Sequence, residues 1–145
     1  MRRKDRMRRS GGFLLLFVCF LCAVFLQGCT SSRPALQRTT LSEIYPGDIT
    51  KVDRVELLDG TTGRTKWLDD PVEIRLWIGG LNDVVLIPEE NQEGSVGGMY
   101  VIGFYEGEDR KLWFSPQSIE DVYYETNELF TGQIQLLFER EFSTP

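Results

Sequence analysis

Met99-Tyr100-Val101-Ile102-Gly103-Phe104-Tyr105-Glu106-Gly107-Glu108-Asp109-Arg110-Lys111-Leu112-Trp113-Phe114-Ser115 reads as two amphipathic strands around a polar turn. Tyr100, Ile102 and Phe104 alternate with Val101, Gly103 and Tyr105. Leu112 and Phe114 alternate with Lys111 and Trp113. Successive side chains of a strand point to opposite faces, so this pattern specifies a sheet with one apolar side. Pairing Phe104 with Leu112 and Ile102 with Phe114 aligns the two apolar sets and leaves Gly107-Glu108-Asp109 as the turn. A one-residue slip would send the whole set to water.

Toward the N-terminus, Lys51 to Leu58 predicts a strand with Val55 and Leu57 on one face. Asp59-Gly60-Thr61-Thr62-Gly63 is a turn, since its glycines accept the left-handed conformations a hairpin needs. Arg64 to Leu68 is the returning strand. Asp69 or Asp70 then caps a helix, Pro71 suits its first position and Glu73 complements its positive end. Ile74, Trp77, Ile78 and Leu81 recur at helical spacing and make one buried stripe. Gly79-Gly80 weakens the last turn of that helix. Asp83 to Ile87 predicts a third strand, and Pro88 to Gly98 a long polar loop. Beyond the hairpin, Ile119 to Tyr124 is a further strand. Thr126 or Asn127 caps a final helix with Phe130, Ile134 and Leu137 inward. The expected order is β-β-α-β-β-β-β-α. It describes an α+β fold, an antiparallel sheet of about five to six strands with two helices packed on one face. Trp67 and Trp77 are expected in the core.

The N-terminus carries a separate signal. Arg2, Arg3, Lys4, Arg6, Arg8 and Arg9 face one acid, Asp5, and positive charge stays on the cytoplasmic side of a membrane. Phe13 to Leu26 follows as fourteen apolar residues. A transmembrane helix needs roughly 20, whereas a signal-peptide core needs about 7–15. Leu26-Gln27-Gly28-Cys29 closes the run and resembles the processing site of bacterial lipoproteins, with cleavage between Gly28 and Cys29 and with Cys29 as lipid carrier. Residues 1–28 are then the signal, 29–48 a lipid-anchored flexible tether, and 49–145 one extracytoplasmic domain. The alternative is an uncleaved anchor helix, with Gly11, Gly12, Gln27 and Gly28 lengthening the segment. Both place the rest of the chain at the outer face of the cytoplasmic membrane.

With Asp59-Gly60-Thr61-Thr62-Gly63 and Tyr100-Val101-Ile102-Gly103-Phe104-Tyr105, the chain resembles a loose group of small lipoproteins of Gram-positive bacteria with no assigned biochemical function. In that group a tether precedes a strand, an Asp-Gly-x-Thr-Gly-type turn, a strand, a helix and a Tyr-x-Ile-x-Phe-Tyr-like hairpin. The resemblance spans most of Lys51 to Glu139. It implies the compartment and the fold, and it brings no catalytic residue.

Composition narrows the chemistry. Signal removal takes six of sixteen basic and one of twenty-two acidic residues, leaving a formal net charge of −11. Such a surface is repelled by nucleic acid phosphates and anionic lipid heads, so no nucleic acid partner is expected. Cys19 and Cys22 leave with the signal and Cys29 is consumed by lipid, so no thiol remains for a disulfide, a zinc site or a nucleophile. The chain has no histidine, which removes Ser-His-Asp and Cys-His catalysis. No phosphate-cradling P-loop occurs. Carboxylate pairs of the kind glycosidases use remain open, but nothing distinguishes one pair. No catalytic residue, metal ligand or cofactor is assigned. Glu89, Glu90 and Glu93, like Glu106, Glu108 and Asp109, read as solvated loop tips rather than a calcium site.

The remaining candidate is a surface. Trp113, Tyr105 and Val101 lie opposite the apolar face of the hairpin and could present an aromatic platform to sugar rings or a protein. A purely structural role competes, because Trp113 faces Gly103 and an aromatic often covers a strand glycine. The expected function is a membrane-anchored, non-catalytic interaction module. It would bind a protein or cell-envelope partner through the exposed sheet face or the Pro88–Gly98 loop. The alternative is a small-ligand-binding or sensing lipoprotein, with the ligand between sheet and helices. A hydrolase using paired carboxylates is a remote third. If Cys29 carries the anchor, Cys29→Ser abolishes lipid labelling and lipoprotein-type maturation; unchanged labelling and processing would refute it.

Overall fold

Six antiparallel strands form one sheet: β1 (Arg54–Asp59), β2 (Thr65–Leu68), β3 (Tyr100–Glu106), β4 (Asp109–Phe114), β5 (Ser118–Ile119) and β6 (Val122–Tyr123). Their spatial order is β2-β1-β3-β4-β5-β6. Among the described residues three helices accompany them: α1 (Leu41–Ile44), α2 (Pro71–Gly79) and α3 (Glu128–Phe142), with a 3₁₀ turn at Ile49–Lys51. The computed structural model describes residues 36–94 and 99–143. The expected signal, the cut after Gly28 and Cys29 lie outside them.

The fold is α+β, and the central hairpin has the expected register. Ile102 faces Phe114, Gly103 faces Trp113 and Phe104 faces Leu112. Gly107 opens the two-residue turn at φ +62°, a conformation that costs a glycine little. Val55, Leu57, Leu68, Ile102, Phe104, Leu112 and Phe114 are all buried, so one sheet face carries the core. Both long helices cover that face. Trp77 of α2 packs edge-on to Phe104 at 6.0 Å, and Phe130 of α3 meets Phe114 at 6.0 Å.

Local chemistry explains the helix ends. The Asp70 carboxylate accepts from the Val72 and Glu73 amides, which holds its pKa below the usual carboxylate range. Pro71 takes the first helical position. Asn127 accepts from the Phe130 amide and starts α3. At its far end Lys66 of β2 donates to the Glu141 carbonyl, placing a cation at the negative helix terminus.

Three expectations are corrected. The tether does not run to Asp48, because the compact unit begins at Leu36. Thr40 and Glu43 form a reciprocal capping box that starts α1, and Leu41 and Tyr45 are buried in the core. The Tyr45 hydroxyl donates to Glu106 at 2.8 Å. Burial, then that carboxylate, push its pKa well above the ordinary tyrosine range. Second, Asp83–Ile87 is not a strand of the sheet. Leu86 exchanges two backbone bonds with Thr39, while the Glu125 amide donates to Ile87 and Pro88 bridges Tyr124. The segment thus ties the N-terminal arm to the edge of the sheet. Ile119–Tyr124 correspondingly splits into β5 and β6. Third, Trp77 is buried as expected, but Trp67 is 46% exposed on the other face, because Leu68 takes the inward position beside it.

Phe104 is fully buried, so Phe104→Ala should cost about 3–5 kcal/mol in urea unfolding. Trp113, half-buried on the opposite face, should cost about 1 kcal/mol. Leu41→Ala should cost about 2–5 kcal/mol, a value no tether residue could reach. Equal losses at 104 and 113, or none at 41, would contradict this packing.

Candidate functional site

The sheet face opposite the core carries an ordered set of side chains. Strand alternation points Arg54 and Glu56 of β1, Trp67 of β2, Val101, Gly103 and Tyr105 of β3, and Trp113 of β4 away from the helices. Register assembles them into two rows. Trp67 faces Glu56, Glu56 faces Gly103, and Gly103 faces Trp113. Beside this row Arg54 faces Tyr105, and Tyr105 faces Arg110. A register shift between Phe104 and Tyr105 brings Arg110 opposite Tyr105; unbroken pairing from Phe104–Leu112 would have brought Lys111.

The rows interlock through cations stacked on rings. The Arg54 guanidinium lies 4.7 Å from the Trp67 ring centre and 5.5 Å from that of Tyr105. Arg110 lies 4.9 Å from the Trp113 ring centre. Trp67 and Tyr105 meet edge to face at 5.2 Å. Each exposed cation–π contact is worth about 0.5–1 kcal/mol. Arg54 also donates to the Gly107 carbonyl at 2.8 Å, while its buried Nε has no partner. Among the described residues, neither Arg54 nor Arg110 is in an ion pair.

Gly103 makes room for the centre of the strip. A Cβ there would sit 3.0 Å from the Tyr105 ring and 3.3 Å from a Glu56 oxygen. The tyrosine therefore folds over the glycine and donates its hydroxyl to Glu56 at 2.7 Å. That bond comes first among the causes that raise the Tyr105 pKa, followed by burial and the Glu56 charge; Arg110 pulls the other way. Gly103 thus faces Trp113 across the hairpin as expected and is also approached by Tyr105 of its own strand.

The surface named from sequence, Trp113, Tyr105 and Val101, is accordingly on the face that no described helix covers, and all three are half-buried. Trp67, Arg54, Glu56 and Arg110 complete it. The alternation of Trp67 against Leu68 carried the signal for Trp67.

Other candidate places look different. The space between sheet and helices is filled by Phe104, Phe114, Phe130, Ile74, Trp77 and Ile134. A shallow groove of about 500 Å³ lies outside the helices, lined by Asp70, Val72, Glu73, Leu76, Trp77 and Arg140. The start of the Pro88–Gly98 loop is pinned to the sheet edge. The Gln92 side chain donates to the Tyr123 carbonyl and accepts from its amide, both at 2.9 Å. Residues 95–98 lie outside the described residues. Of the acidic tips, Glu106 is held by Tyr45 and Asp109 by Lys111.

No protein-family model matches the chain, and neither the curated proteins nor the solved structures give a match.

The Tyr105–Glu56 bond sets an expectation for titration. An ionised phenol beside a carboxylate is repelled, so Glu56→Gln should lower the Tyr105 pKa toward the ordinary value of about 10. Arg110→Gln should raise it further. NMR titration of ring-labelled tyrosine reads both, and an unmoved Tyr105 would break the assignment.

Proposed function

We propose that this chain is a lipid-anchored, non-catalytic binding module at the outer face of the cytoplasmic membrane, and that it docks a partner through the uncovered sheet face. The observation that carries the reading is the two-row strip of Trp67, Glu56, Gly103 and Trp113 beside Arg54, Tyr105 and Arg110. Trp, Tyr and Arg are the residues that dominate binding energy at protein interfaces. An unused sheet face needs polar cover, not two tryptophans. The basic, apolar N-terminus ending at Gly28-Cys29 supports the compartment.

Anchoring at Cys29 leaves six residues, Thr30–Ala35, before the compact unit. Six residues span at most about 20 Å even when fully extended. The module would work close to the bilayer, against a membrane-proximal partner. A filled core does not favour a ligand held between sheet and helices.

Photo-crosslinking of the full chain in its own membranes tests the docking face. A photoreactive residue at Thr65, exposed on the outer face, should give a discrete adduct that Trp67→Ala abolishes. The same residue at Leu129, exposed on α3, should give none. An adduct from Leu129 and none from Thr65 would reverse the assignment.

A further inference from the structure

We infer that the partner of this face is a protein surface that lays two carboxylates on Arg54 and Arg110. The inference rests on the docking reading above and adds the chemistry of the contact.

Stacking decides what the strip offers. A guanidinium over an indole covers that ring face and keeps its N–H groups at the rim. Arg54 covers Trp67 and Arg110 covers Trp113. Sugar stacking on those ring faces is therefore obstructed, and the groups left for a partner are the Arg110 fork and the terminal Arg54 N–H groups not bonded to Gly107. Arginine forks match carboxylates in a bidentate manner. Neither arginine is in an ion pair among the described residues.

Charge separates the remaining anionic occupants. The mature chain is strongly acidic, and Glu56 sits within the strip. A long, uniformly anionic polymer is repelled by both. A folded protein of low net charge can bring carboxylates to the two forks alone and place its own donor near Glu56. Spacing adds a constraint. Arg54 and Arg110 flank Tyr105 on β1 and β4, two strand spacings or about 10 Å apart at the backbone. Acidic residues two turns apart on a helix, about 10.5 Å, match that distance.

The test uses the full chain in detergent micelles with four defined probes. One is a helical peptide of zero net charge with two glutamates two turns apart. The second carries glutamines in their place. The others are linear polyphosphate and a neutral chitooligosaccharide. NMR follows the Nε–H signals of Arg54 and Arg110 and the indole N–H signals of Trp67 and Trp113. The glutamate peptide should move these signals saturably, and R54Q or R110Q should each weaken it about tenfold while the remaining spectrum stays folded. A glutamate peptide no better than its glutamine control overturns the inference. So does stronger binding of polyphosphate or of the sugar at the same signals. In those cases the docking reading stands or falls separately on the Thr65 cross-link.

Discussion

Phe104 is the contact on which the architecture depends. It is fully buried, and its ring meets Phe114 at 5.0 Å, Trp77 at 6.0 Å and Tyr45 at 6.3 Å. Those partners belong to the neighbouring strand, to α2 and to the N-terminal arm. One side chain therefore couples three parts of the chain that do not otherwise share a secondary-structure element. An aromatic of this size buries about 150–250 Å², and much of that gain exists only when all three partners are docked. With no thiol left after Cys29 to staple the unit, the core around Phe104 provides its cohesion.

That contact was legible because period-two alternation and turn chemistry agree in the hairpin. Phe104 and Leu112 could be paired without any knowledge of the rest. The N-terminal arm shows where legibility stops. Thr40-Leu41-Ser42-Glu43 does carry a capping-box signature, yet four residues cannot display a helical period, and burial of Leu41 is decided by segments far along the chain. Val84 to Ile87 is an apolar run too short to assign by pattern alone; its partners are Thr39 and the Tyr124 region rather than a sheet strand. Hydrophobicity alone points Trp67 inward, but alternation with the buried Leu68 decides its face.

The outer strip was half legible for similar reasons. Parity alone puts Val101, Tyr105 and Trp113 on one face. Adding Arg54, Glu56 and Trp67 requires the registers of two further strand pairs. Adding Arg110 requires the irregularity opposite Tyr105, which leaves no mark in the sequence. A site assembled across strands is invisible to any one strand, however regular the strand is.

The strip also explains how a soluble face tolerates two tryptophans and a tyrosine. Intramolecular cations lie over the indoles, the phenol is bonded to Glu56, and Gly103 supplies the space that lets the tyrosine lie flat. Each contact is small in stability terms. Together they hold long arginine side chains, which carry large rotamer entropy, in defined positions. Preorganisation of that kind lowers the ordering cost of association, so a modest contact area can support specific binding. The same covering of the rings limits non-specific hydrophobic association. A face that served only as cover could be built from threonine and lysine; stacked arginines around a glycine gap instead leave this one with its charged groups already ordered.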